Sequence, residues 1–199
     1  MALISNFEVL LKPQLPTNAG IDQLSRKVIQ GYFLTISNVN FFPVTVSVVF
    51  TVRFPVNPDS TTERPNSWKD FLDVVDISGE NLFPGDPFRS KLVPEVVPQN
   101  NKARVTFTLP ENGTGLLLLQ PNILPPSNLL ATADFEARGY VEIFLSSLSG
   151  SDTATLLITP EHRGTFFKNF EGKNSGEVNL DQIAYALPVS NGGVFKLSN

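Results

Sequence analysis

The sequence predicts an all-β fold: an antiparallel β-sandwich, with a β-barrel as the alternative, carrying one short helix near residues 67–75. Three observations predict it. Hydrophobic residues recur with a period of two in long stretches, which marks strands with one buried and one wet face. Sixteen prolines and thirteen glycines punctuate those stretches and sit mainly between them. No segment other than 67–75 carries a clear helical period. At 199 residues the chain reads as one domain, since all-β units of this size are common.

The clearest strand is Phe42–Phe54. Val44, Val46, Val48, Phe50, Val52 and Phe54 share one parity, and Thr45, Ser47, Thr51 and Arg53 share the other. The preceding stretch, Lys27–Ile36, places Val28, Tyr32, Leu34 and Ile36 on one parity. The tetrad Ser37-Asn38-Val39-Asn40 between them reads as a turn, so these strands are expected to form a hairpin. A second pair is expected from Asp134–Leu145 and Thr153–Thr159, joined by the polar segment 146–152. Gly139, in the middle of the first, marks a bulge or a close approach of backbone. Shorter strands are expected at Phe7–Leu11, Phe88–Val93, Ala103–Leu109 and Gly115–Leu119. Tyr185–Val189 and Val194–Leu197 flank Ser190-Asn191-Gly192-Gly193, a third expected hairpin.

The helix rests on Ser67 as a cap with Asp70 reaching back, and on Trp68, Phe71, Leu72 and Val75 at i, i+3, i+4 and i+7. Asp181–Leu187 has a cap of its own, but Ile183, Tyr185 and Leu187 alternate, so strand and helix compete there. The polar stretch Asn57–Asn66 reads as a long exposed loop.

Composition excludes several functions. There is no cysteine, hence no thiol nucleophile, disulfide or cysteine-held metal. The fifteen Lys and Arg are scattered and the net charge is −4, so no cationic face is expected for nucleic acid or for an anionic membrane surface. The longest apolar run, around Leu116–Leu119, is far short of a membrane span. The start of the chain lacks a signal-peptide pattern, which points to the cytoplasm if the chain is full length. No phosphate-binding glycine motif and no nucleophile elbow are present, and no cofactor is expected.

The residues that remain for chemistry are few. His162 is the sole histidine. It lies in Pro160-Glu161-His162-Arg163-Gly164, which reads as a surface turn at a strand end. On an extended chain Glu161 and Arg163 act together while His162 points the other way. Glu136 and Glu142 share a strand face but stand about 20 Å apart, too far for a glycosidase pair. Asp70, Asp73, Asp76 and Glu80 do not match a calcium loop. Trp68, Tyr32, Tyr140 and Tyr185 are candidate platforms for a sugar.

The expectation is a non-catalytic structural or protein-interaction domain that associates with itself, in keeping with a charged fraction of only 17%. The alternative is a carbohydrate- or other ligand-binding module, and a hydrolase comes third. Glu161, His162, Arg163, Trp68 and Tyr140 are the expected ligand or partner contacts.

Overall fold

The computed structural model describes residues 1–15, 26–54, 67–77, 93–94, 101–124, 127–167 and 181–199. The loop at 57–66 and most of the expected strand at 88–93 lie outside them. The fold is all-β with antiparallel pairing throughout. The strands are β1 (Ala2–Pro13), β2 (Lys27–Asn38), β3 (Val44–Val52), β4 (Phe71–Ile77), β5 (Val93–Pro94), β6 (Lys102–Leu109), β7 (Thr114–Pro121), β8 (Phe135–Leu145), β9 (Thr153–Phe167), β10 (Asp181–Ala186) and β11 (Val194–Ser198). A short helix, α1, covers Leu129–Thr132.

The strands form one curled open sheet, a half-barrel, and not two separate sheets. β2 is the reason. Along one flank it pairs with β9 from Lys27 to Asn38. Along the other flank it changes partner: Lys27–Gln30 pair with β1, and Tyr32–Ser37 pair with β7. The sheet therefore forks. One limb runs β1-β8-β3-β6-β5 and the other runs β7-β4. Curling brings the buried faces of the two limbs together around one aromatic core. Phe7, Tyr32 and Phe50 meet at centroid distances of 5.6–6.1 Å. Trp68, Phe71 and Phe135 continue the cluster at 5.1–5.2 Å.

The alternations place side chains as expected. Val44, Val46, Val48, Phe50 and Val52 are buried, as are Phe135, Ala137, Val141, Ile143 and Leu145. The opposite face of β3 is drier than its pattern suggests, since Ser47, Val49 and Thr51 are also buried. β3 is an inner strand, and Val49 lies in register between the longer Glu142 and Arg104. Two of the hydroxyls on that face pair across strands, Thr45 with Thr108 at 2.9 Å and Ser47 with Thr106 at 2.8 Å.

None of the three expected hairpins forms. β3 pairs with β6 and β8, not with β2. β9 pairs with β2, β10 and β11, not with β8. β10 and β11 lie end to end along β9 and not beside each other. In the first case the connection arches between limbs, and asparagines hold it. The buried Asn38 donates from Nδ2 to the carbonyls of Phe42 and Pro110, both at 2.8 Å, and its Oδ1 accepts from the Asn40 backbone N–H. Asn40 in turn bridges to the backbone of Thr155. These side chains satisfy peptide groups that a hairpin ladder would otherwise have paired.

The helix expected over 67–75 is a single 3₁₀ turn, Trp68–Asp70. Its cap is as expected: Ser67 accepts from the Lys69 N–H, and Asp70 accepts from the Ser67 N–H at 2.7 Å. Beyond it the chain extends as β4, because pairing Phe71–Ile77 with β7 buries Phe71 and Leu72 and suits Val74 and Val75, which are stiff in helices. Asp181–Leu187 resolves as β10 followed by Leu187.

Gly139 is a site of close approach. It faces Phe7 on β1 and Val52 on β3. A Cβ here would overlap the Thr51 carbonyl oxygen and lie 3.0 Å from the Phe7 ring. Gly139→Ala is expected to destabilise the fold by about 1–3 kcal/mol, the usual cost of overpacking, seen as a lower urea midpoint at unchanged slope. An unchanged midpoint would show that the β1-β8-β3 limb can spread.

Candidate functional site

His162 is not on a turn. It sits in the middle of β9, the longest strand among the described residues, and only 5% of its surface is exposed. Pro160 is tolerated inside this strand because of its position. It lies in the gap between the stretch of β9 that pairs with β11 and the stretch that pairs with β10. Its carbonyl accepts from the Leu187 N–H at 2.9 Å. Its missing N–H would have pointed to that same flank, so the ladder with β2 loses nothing.

His162 belongs to a closed ring of hydrogen bonds. The Glu8 backbone N–H donates to Nε2 at 3.0 Å. A peptide N–H can only donate, so Nε2 is the acceptor and the ring proton of the neutral imidazole is on Nδ1. Nδ1 meets the Tyr185 hydroxyl at 3.0 Å. That hydroxyl donates to Gln30 Oε1 at 3.4 Å, and Gln30 Nε2 donates to the Glu8 carbonyl at 3.3 Å. The circuit thus begins and ends on one peptide residue and joins β1, β2, β9 and β10. A second link stands beside it: the buried Tyr32 hydroxyl meets Ser5 Oγ at 2.9 Å, and its ring lies edge-on to His162 at 6.2 Å.

The location of the ring explains it. β1 leaves β2 after Leu10 pairs with Gln30, and Glu8 would be the next residue to find a ladder partner on β2. The side chains of His162 and Gln30 supply that partner at the fork. Burial disfavours the imidazolium and holds His162 below the usual histidine range, with the Glu8 carboxylate opposing in part. Burial likewise raises the Tyr185 phenol. With its Nε2 lone pair occupied and Nδ1 donating, the ring has no free lone pair for general-base work.

The other expected contacts are scattered. Glu161 and Arg163 lie on the opposite face of β9 and pair at 2.7 Å, with the guanidinium 4.6 Å from the Phe33 ring centroid. Trp68 is 4% exposed and packs on Phe54 and Phe71, so its ring offers no open face for a sugar, which corrects the expectation of a ligand platform there. Tyr140 is 38% exposed on β8, three strands from β9. Around it the acidic face is paired: Arg138 binds Glu8 at 2.6 Å and Glu136 at 2.7 Å, Lys12 binds Glu136, and Lys102 lies 3.6 Å from Glu142. Lys12 chiefly holds the Glu136 carboxyl below the usual range.

Asp70, Asp73 and Asp76 do not converge. Asp70 caps the 3₁₀ turn, and Asp73 and Asp76 point to opposite faces of β4; Glu80 lies outside the described residues. Among the described residues no three His, Asp or Glu side chains are placed to hold a metal, and no helix is long and apolar enough to cross a membrane. An open cleft of about 570 Å³ lies at the end of β7, lined by Thr35, Asp76, Glu111, Asn112 and Thr114 among others. Asp76 Oδ1 is buried and has no hydrogen-bond partner among the described residues.

Sequence reasoning named His162 but missed Gln30 and Glu8. No sequence signal could have found them, because Glu8 contributes peptide atoms and Gln30 is 132 positions from His162 in the chain.

His162→Ala is expected to cost about 1–3 kcal/mol, since it leaves a buried N–H unpaired. The native protein should also lose stability as pH falls below about 6.5, the unfolded histidine value, because the unfolded chain takes up that proton first. Urea midpoints across pH 5–8 test both, and the alanine variant should lack this component of the pH dependence. No family model, no curated protein and no solved structure matches this chain, so its function is to be read from the geometry above.

Proposed function

We propose that this chain is a non-catalytic structural domain that associates with copies of itself. The observation carrying the reading is β10. All six of its residues are exposed, including Ile183 at 40% and Tyr185 at 42%. Among the described residues it pairs on one flank only, with β9. An exposed edge strand is a template for another strand. The sequestered state of His162 and the paired acids of β8 fit a scaffold better than a reaction centre.

The test is the solution mass by light scattering over a concentration series. A mass rising toward a multiple of 21.8 kDa is expected. A constant 21.8 kDa at every concentration would overturn the reading.

The 570 Å³ cleft favours a second reading, in which a polyhydroxylated ligand such as an oligosaccharide binds there. Thr35, Asn112, Thr114 and the Asp76 carboxylate, all on the cleft's lining, are the groups that would bond its hydroxyls. Calorimetric titration with neutral oligosaccharides should give heat that Asp76→Asn diminishes. No heat from a broad panel would remove this reading.

A further inference from the structure

The geometry points to a specific interface: we propose that two copies join edge to edge through β10, antiparallel, about a two-fold axis at Ala184. This rests on the self-association proposed above and says where it occurs.

The phase of the ladder supplies the first argument. Leu187 donates to Pro160, so this is a hydrogen-bonded pair. By alternation, Tyr185 and Ile183 also direct their peptide groups toward β9. Gln182, Ala184 and Ala186 therefore direct their N–H and C=O groups away from β9, to the open edge. These three residues are symmetric about Ala184. Placing Ala184 opposite Ala184 of the second copy puts Gln182 opposite Ala186 of the second copy, and the converse. All three outward residues then sit in opposed pairs, each exchanging two hydrogen bonds. Shifting the axis to Ile183 leaves Ala186 without a partner inside the strand.

Side chains agree with this register. It places Tyr185 opposite Ile183 of the second copy, in the closer type of pair, and aromatic with β-branched pairs are favourable there. These two are the exposed large apolar residues of β10. Their rings and methyls already rest against the sheet: Tyr185 is held by His162 and Gln30, and Ile183 lies over Gly164. On the other face the small Ala184 and Ala186 present no obstacle.

Charge supplies the third argument. Beside the stretch of β6 beyond Arg104, which is open on the flank away from β3, three other edges among the described residues carry features that discourage pairing. β4 has Asp73 and Asp76, β5 ends in Pro94, and β11 has Lys196 at its centre. β10 has one charge, Asp181 at its end, already paired with Arg26. Two copies of β10 bring no like charges together at the axis.

Six residues from each copy cover less than the roughly 1,200 Å² of a standard interface. The association is therefore concentration-dependent.

The absence of cysteine allows a clean test. Three single-cysteine variants, Ala184→Cys, Gln182→Cys and Ile183→Cys, are oxidised at a concentration where the native protein associates. Opposed Cα atoms in this register stand about 5.5 Å apart, inside the disulfide range. Ala184→Cys should form a covalent dimer, while Gln182→Cys, opposite position 186, and Ile183→Cys, opposite Tyr185, should stay single chains. Ala184→Pro removes one outward donor and no bond to β9, and should return the mass to 21.8 kDa. Cross-linking of Ile183→Cys instead would overturn the register. Native association with no cross-link at Ala184 and no effect of Ala184→Pro would overturn the interface while self-association stands. A native protein that stays at 21.8 kDa overturns both.

Discussion

Everything in this fold turns on the point where β1 parts from β2. A sheet that forks must leave peptide groups behind, and unpaired buried peptide groups are costly. Here Glu8 is the residue left at the fork. The imidazole of His162 takes its N–H, the Gln30 amide takes its carbonyl, and the Tyr185 hydroxyl closes the circuit between them. With that peptide satisfied, the β1-β8-β3 limb can swing over the β7-β4 limb and enclose Phe7, Tyr32 and Phe50. A flat sheet would leave those rings in water.

The same circuit sets what the His162 ring can bond. A single histidine in a chain without cysteine attracts a catalytic reading, but a base needs a free lone pair and a route to substrate. This one is buried, neutral and committed at both nitrogens. Its chemistry is structural: it matches one donor and one acceptor across strands that the ladder cannot join. The ring also reaches β10, so the edge strand proposed as an interface is anchored through Tyr185 to the fork. Stability at the core and order at the edge are coupled through four side-chain and backbone contacts.

Three other edges of the sheet contrast with β10. Aspartates, a proline and a lysine mark β4, β5 and β11, whereas β10 presents two alanines, an isoleucine, a tyrosine and a glutamine, with its one aspartate at the end. Low overall charge has the same sense. A face that must stay solitary usually carries charge, and one that meets a copy of itself can do without it.

In β3 and β8 the sequence by itself determined which parity lines the core. Period two in Val44–Val52 and Phe135–Leu145 is a local consequence of the pleat, so it survives any arrangement of strands. The reciprocal cap of Ser67 and Asp70 is equally local, as is the opposition of His162 to Glu161 and Arg163. Which strands are neighbours was decided only in the tertiary structure. Alternation is the same whether a strand returns as a hairpin or arches to the other limb, and Asn38 and Asn40 chose the arch through bonds to Pro110 and Thr155, far along the chain. The extent of the helix after Trp68 was decided by the offer of β7 as a partner. Pro160 read as a strand end, because its harmless place between β10 and β11 exists only once those strands are side by side with β9. The ring around Glu8 depends on a peptide group and three distant side chains, and only the folded sheet brings them within hydrogen-bond reach.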